Sequence, residues 1–406
     1  MRAYERFLEY VKIWTSSERC SGSAPSSLRQ FDLAHQLAFE LRELGVEQVG
    51  VDNHCFVYGY LPASAGCESA PCLGLLAHLD THPDCPGQNV RPQIIEQYDG
   101  GEVVLGDSGL VLRPAEFPHL PSLAGQTLLT SSGDTLLGVD DKAGIAEILT
   151  ALEQVTIADR PHGPVSVVFI PDEEIGSGTA HFDLERFGAR YAYTVDGWAA
   201  GEIETETFYA IQAKIRIRGL GIHTGYAKGI MVNAQLLAME FAHMLPAEEI
   251  PARTDGRAGF FHLLRSRGTV EEAELVYNLR DFERDGMDRR IGLLREAARI
   301  LNGRYGPDTV SISLVEEYAN MREILEQHPQ LIEKACTACR LAGVEPFLLA
   351  ARGGTDGARL SFAGVPCPNL GIGGWAYHSP QEHITVEAMD QVSRILEELI
   401  CQFGQP

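Results

Sequence analysis

No apolar run in the 406 residues approaches the roughly 20 residues that a helix needs to cross a bilayer. The amino terminus, Met1-Arg2-Ala3-Tyr4-Glu5-Arg6, carries charge without the apolar core of a signal peptide, so a cytoplasmic protein is expected. Positive charge is scarce: 33 Lys and Arg against 56 Asp and Glu leave a formal charge of -23. That balance argues against nucleic acid or an anionic membrane as partner and suits the binding of cations. Densely spaced cysteines are also missing. The nine present, an odd number, are scattered from Cys20 to Cys401 and fit a reducing compartment better than a disulfide scaffold. Cys336-x-x-Cys339 lacks a second pair at zinc-ribbon spacing and sits among Leu331, Ile332, Ala335 and Leu341, which points to helix packing. What remains is ordinary for a globular chain, 45% apolar and 22% charged, and long enough for two domains with separate cores.

The chemistry is concentrated where apolar runs stop. Leu73-Gly74-Leu75-Leu76-Ala77 is too short for a helix and ends in His78-Leu79-Asp80, which reads as a buried strand delivering polar groups at its carboxyl end. Open α/β sheets keep their chemistry at that end. His78 and Asp80 point the same way on an extended chain, so the carboxylate is placed to fix the imidazole's tautomer. Val165 to Ile170 is a second such strand, running into Pro171-Asp172-Glu173-Glu174, three acids that repel unless positive charge sits among them. Tyr191 to Val195 ends at Asp196-Gly197, and Cys367 to Ile372 leads to Gly373-Gly374-Trp375-Ala376-Tyr377-His378. Between them, Gly138-Val139-Asp140-Asp141 opens a helix with Ile145, Ile148, Leu149 and Leu152 on one face, and helix capping accounts for only one of the two aspartates.

The rest sets the frame. Phe7, Val11 and Trp14 mark an opening helix, and Leu33, Leu37, Leu41 and Leu44 a second, closed by Gly45. Residues 85 to 133 form a β-rich excursion. From Phe208 the pattern becomes strand-helix-strand-strand-helix-strand, with Ile211, Ala213, Ile215 and Ile217 in one alternating strand and Ala273, Leu275, Tyr277 and Leu279 in another. The expected fold is α/β: a mixed, mostly parallel sheet with helices on both faces (1–207 and 317–406), interrupted by a ferredoxin-like α+β lid domain (208–316). One face of that smaller sheet is suited to packing against a twin, so a homodimer is expected.

His78, Asp140, Glu174, Asp196 and His378 offer two imidazoles and three carboxylates. This set suits two zinc ions, with cobalt or manganese as alternatives, each holding a histidine and acidic oxygens and sharing one carboxylate. Asp140, at the helix start, is the natural bridge, and Glu173, beside a ligand but pointing the other way, is placed to act as general base. A binding protein that had lost catalysis would lack a ligand or the base, and none is lacking.

The runs Ala77-His78-Leu79-Asp80-Thr81, Leu136 to Ile148, Pro171-Asp172-Glu173-Glu174, Tyr193 to Gly197, Ala227 to Ala234, Arg352 to Gly357 and Pro366 to Leu370 resemble the peptidase T family of tripeptide aminopeptidases, within the co-catalytic zinc exopeptidase superfamily. The resemblance implies one zinc on His78 and Asp196, another on Glu174 and His378, Asp140 bridging them, and a cis peptide between Asp140 and Asp141. It also implies that Asp80 orients His78 and that Glu173 is the base. His223 would stabilise the oxyanion, often from a partner subunit. Arg280 and Arg352 would hold the carboxylate of a short peptide substrate, the alternative for each being a structural ion pair, and Asn233 would also contact substrate. A dipeptidase, carboxypeptidase or N-acyl-amino-acid deacylase would use the same machinery. Two stretches depart from the family pattern: Thr224 follows His223 where proline is usual, and Ser379-Pro380-Gln381-Glu382-His383 follows His378.

Overall fold

The computed structural model describes residues 1–404, which fall into two compact units. One comprises Met1–Thr205, Glu323–Leu349 and the chain from Thr355 onward; the other comprises Glu206–Arg322 with Ala350–Gly354.

The first unit is built on an eight-stranded sheet. Its four central strands are Val165–Ile170, Leu73–His78, Tyr191–Gly197 and Asn369–Gly371, in that spatial order and all parallel. Val57–Leu61 and then Glu47–Val51 extend the sheet on one side through antiparallel pairings, and Glu202–Thr207, antiparallel to Asn369–Gly371, and then Phe347–Ala351 extend it on the other. Every residue of Leu73–His78 and of Val165–Ile170 is buried, so both faces of the sheet are covered, as a parallel sheet requires. One face packs Leu76, Val168 and Ile170 against Phe187 and Leu360. The helix Val139–Ile157 is buried along most of its length and packs on Leu73–His78 and Tyr191–Gly197, with the carboxyl-terminal helix Val386–Phe403 behind it. Gly144 permits that closeness: a Cβ there would come within 2.1 Å of the Val195 carbonyl oxygen. The excursion between the first two central strands carries Gln93–Ile95 and Leu128–Thr130, which form a small sheet with His383–Thr385 and Gly374–Trp375.

The second unit is a four-stranded antiparallel sheet in the order Phe260–Gly268, Glu272–Asp281, Tyr209–Arg218, Val310–Tyr318. The helices Ala234–His243 and Arg284–Tyr305 cover one face, packing Leu237, Phe241, Leu294 and Leu301 against Ile211, Ile215, Leu275 and Leu279. Phe260–Gly268 is an edge strand whose side chains are largely exposed, Leu263 and Leu264 included. No helix among the described residues is long and apolar enough to cross a membrane.

Candidate metal centre

The parallel order of the central strands places their carboxyl ends side by side, and the expected side chains meet there. His78 closes its strand, buried. Its Nδ1 lies 2.9 Å from the backbone carbonyl oxygen of Asp80 and 3.5 Å from that residue's Oδ1, so the carbonyl is the nearer acceptor. The Asp80 carboxylate instead accepts the backbone N–H groups of Glu173 at 3.0 Å and Glu174 at 3.3 Å, tying the acidic turn to the neighbouring strand. That turn begins at Asp172, whose φ of 59° is uncommon for a residue with a side chain. Three donations hold Asp172 in place, from the N–H and hydroxyl of Ser26 and from the Gln30 amide, the last at 2.7 Å.

Asp140 stands between the two histidines. Its Oδ1 is 2.8 Å from His78 Nε2 and its Oδ2 is 2.9 Å from His378 Nε2. Beyond it, Asp196 Oδ1 is 3.5 Å from His78 Nε2, and Glu174 Oε2 is 3.0 Å from His378 Nε2. Two half-sites result, one of His78 and Asp196 and one of His378 and Glu174, with one oxygen of Asp140 in each. The peptide between Asp140 and Asp141 is cis. Asp141 turns back to accept the His78 backbone N–H at 2.9 Å.

Electrostatically the pocket is short of positive charge. Burial raises the Glu174 carboxyl to about 8, with Asp140 adding repulsion, and burial raises Asp196 to about 6. Glu173 is pushed well above the ordinary carboxylate range, first by burial and then by Asp196 and Asp356. Burial also opposes ionisation of Asp140, but its two imidazole partners overcome it and hold that carboxyl low. Oε1 of Glu174 and Oδ1 of Asp141 are buried without a hydrogen-bond partner. The one buried lysine close in sequence, Lys142, donates to the Ile13 carbonyl at 2.6 Å. A donor set of imidazole nitrogens and carboxylate oxygens with unpaired buried oxygens fits a pair of divalent cations. His82–Glu174–His378 and His78–Asp141–Asp196 also bring ligand atoms within 4.8 Å of one another.

The remaining expected residues lie in the second unit. His223 starts a short turn and its Nδ1 accepts the Gly225 N–H at 3.2 Å. Asn233 caps the helix Ala234–His243, its side-chain oxygen accepting from Gln235 and Leu236. Arg280 pairs with Glu317 at 2.9 Å. Arg352 donates to the carbonyl oxygens of Thr254, Gly256 and Ala258 and lies over the rings of Phe208 and Phe260.

Sequence reasoning passed over four residues. Glu382, fully buried, accepts the N–H groups of Leu137 at 2.7 Å, Gly138 at 2.6 Å and Asp140 at 3.1 Å, and so shapes the turn that carries the shared aspartate. Its signal was the His378-Ser379-x-x-Glu382 spacing. Asp141 was visible only as a second acid at a helix start. Asp356, buried with Oδ2 unpaired, packs against Gly178, where a Cβ would come within 2.3 Å of it, and hid behind Arg352 in the same run. His82 stacks on His378 and carried no signal beyond its proximity to His78.

The family model described as Peptidase family M20/M25/M40 matches residues 136–402. The sequence is 46% identical over 403 residues to Peptidase T of Geobacillus thermodenitrificans, covering 99% of this chain and 98% of that relative. It is 44% identical over 405 residues to Peptidase T of Clostridium perfringens, covering 100% and 99%. The fold is similar to that of aminopeptidase PepT from Bacillus cereus, with a TM-score of 0.79 at 21% identity, covering 100% of this chain and 98% of that one. A tripeptidase from Staphylococcus aureus gives 0.78 at 19%, with the same coverage.

Proposed function

The chain belongs to peptidase family M20/M25/M40, on its peptidase T branch, and from that premise we propose that it is a cytoplasmic dizinc aminopeptidase removing the first residue of short peptides, tripeptides above all. One observation carries the reading: the two oxygens of Asp140 face two different histidines, at 2.8 and 2.9 Å, each histidine with its own further carboxylate. His78 and Asp196 would hold one ion, His378 and Glu174 the other, and Asp140 both. When bound, such a pair supplies positive charge that polarises a scissile carbonyl and lowers the pKa of water.

The chain's own residues do the rest. Glu173, its proton affinity raised by burial and by neighbouring acids, takes the proton of the attacking water at a carboxylate oxygen and passes it to the leaving amine. Asp80 holds the Glu173 and Glu174 amides, fixing where both carboxylates project. His223 is assigned to the oxyanion, and Arg280 and Asn233 to the substrate, on motif likeness. Arg352 is spoken for by three carbonyl oxygens, which makes it the weaker candidate for the substrate carboxylate. The second unit's sheet is the proposed surface of a homodimer.

A substrate panel on zinc-loaded protein, with and without chelator, tests the reading. Free tripeptides are expected to be cleaved at the first bond and chelator to abolish turnover. Preference for dipeptides, amino-blocked peptides or N-acyl amino acids would move the protein to another activity of the same machinery, and chelator-resistant turnover would remove the metal.

A further inference from the structure

The two histidines of the centre are held in different ways. His78 is buried, and its Nδ1 is fixed by the Asp80 carbonyl oxygen at 2.9 Å. His378 sits on a loop with its side chain 43% exposed and its backbone at φ 60°. Its Nε2 faces Asp140 and Glu174, and no group among the described residues hydrogen-bonds its Nδ1. A ligand imidazole ordinarily donates that second N–H to an acceptor that fixes tautomer and orientation. His378 instead has a ring: the His82 imidazole lies flat against it, centroids 3.9 Å apart and planes 7° from parallel.

His82 is itself held. Its side chain is 14% exposed, and Arg19 Nη2 lies 3.2 Å from its Nε2. The Asp84 backbone N–H approaches the other ring nitrogen, Nδ1, at 3.4 Å, so donors face both nitrogens of the ring. Arg19 is anchored in turn on Asp84, at 3.0 Å. One ring nitrogen of His82 lies within 4.8 Å of ligand atoms of Glu174 and His378, so a ring that stacks and a nitrogen that ligates are the two roles open to it.

We propose that His82 is a positioning residue for His378: a clamped, parallel imidazole does at the second half-site what the Asp80 carbonyl oxygen does at the first. The proposal rests on His378 being a metal ligand. It makes the second half-site the one whose affinity depends on a ring outside the coordination set.

The test measures both metal equivalents by chelator competition and records the cobalt absorption spectrum in wild type, His82→Ala, His82→Gln and His82→Phe. Folding is checked by circular dichroism, and Gln stands in for Ala should Ala unfold. Ala and Gln are expected to weaken one equivalent about 10- to 100-fold, the cost typical of losing an orienting partner, and to leave the other unchanged. Phe, a ring without nitrogens, is expected to restore the affinity and the wild-type cobalt spectrum. Undiminished affinity in both Ala and Gln overturns the proposal. So does a Phe variant as weak as Ala, since the nitrogen would then be acting as a ligand. His378→Ala separates this from the underlying reading: if it still binds two equivalents, His378 is no ligand, and the premise fails rather than the positioning.

Discussion

A carboxylate that takes up a proton and hands it on works best where its surroundings raise its proton affinity, and Glu173 is buried beside three further acids, Asp196, Asp356 and Glu174. Glu173→Gln keeps the size of the side chain and removes the acceptor. Turnover is expected to fall about 10²- to 10⁴-fold while two metal equivalents stay bound, read by steady-state kinetics beside metal analysis. Activity within a few-fold of wild type would show that another group is the base. A second prediction concerns residues outside the centre. His383 is fully buried, its Nε2 2.8 Å from that of His119, which lies stacked on Trp375. Burial, with the like charge of His119, lowers its pKa from 6.5 to about 4, against the Gln381 carbonyl oxygen, which raises it. The unfolded chain therefore gains a proton near 6.5 that the folded chain refuses until about 4. Stability is full above that window and falls as pH drops through it, by about 3 kcal/mol in all. Urea unfolding at pH 7 and pH 5 should show a smaller loss in His383→Phe than in wild type; equal losses would mean that His383 takes up its proton in the folded chain at the same pH as in the unfolded one. At this scale the sequence was readable where chemistry left a mark. His78, Asp140, Asp196 and His378 each end a run rich in apolar or glycine residues, and Glu174 closes the acidic turn that follows one. His82 and Asp356 do not, because their importance lies in what they pack against.

Segments read well where burial was patterned and poorly where it was not. Val165–Ile170 is uniformly apolar but for Ser166, and Tyr209–Arg218 alternates, so both were visible. Phe260–Gly268 was not, since an edge strand exposed along its length has no inward stripe to betray it. Glu202–Thr207 hides differently. Its buried Glu202 and Glu204 read as surface acids, yet they accept from the Ala199 N–H and the Asn369 amide, which also accepts the Asp196 N–H. That the candidate ligands meet was expected from their strand ends, but how they meet depends on strand order, which places His78 between the Val165–Ile170 and Tyr191–Gly197 strands. The start of the helix Val139–Ile157 yields the element-scale prediction. Its orphan N–H groups are satisfied by Glu382 from a distant segment, whose charge also suits a helix amino terminus. Glu382→Ala strands three buried donors and is expected to cost about 2–4 kcal/mol in urea unfolding. It should also weaken metal binding about tenfold, because the turn carrying Asp140 loses its template. A loss of stability with unchanged metal affinity would separate the cap from the centre.

For the molecule as a whole, a surplus of 23 negative charges disfavours compactness, and the first unit gathers Asp140, Asp141, Glu173, Glu174, Asp196 and Asp356 at the carboxyl edge of one sheet. Without a cation that gathering is held together by protons and by the two imidazoles, and the oxygens of Glu174, Asp141 and Asp356 that lack partners lose hydration with nothing in return. A cation that binds the folded site and not the unfolded chain stabilises the fold by mass action, about 2.7 kcal/mol for a site at a hundred times its Kd. Two sites at that excess contribute about 5 kcal/mol, enough to raise Tm by several degrees in a unit of this size. Calorimetry with and without chelator should show that rise, and His378→Ala, left with one half-site, should keep only part of it. If chelated and zinc-loaded protein melt together while metal analysis shows two equivalents bound, the ions are held as tightly by the unfolded chain. The edge of the sheet would then be no preformed centre.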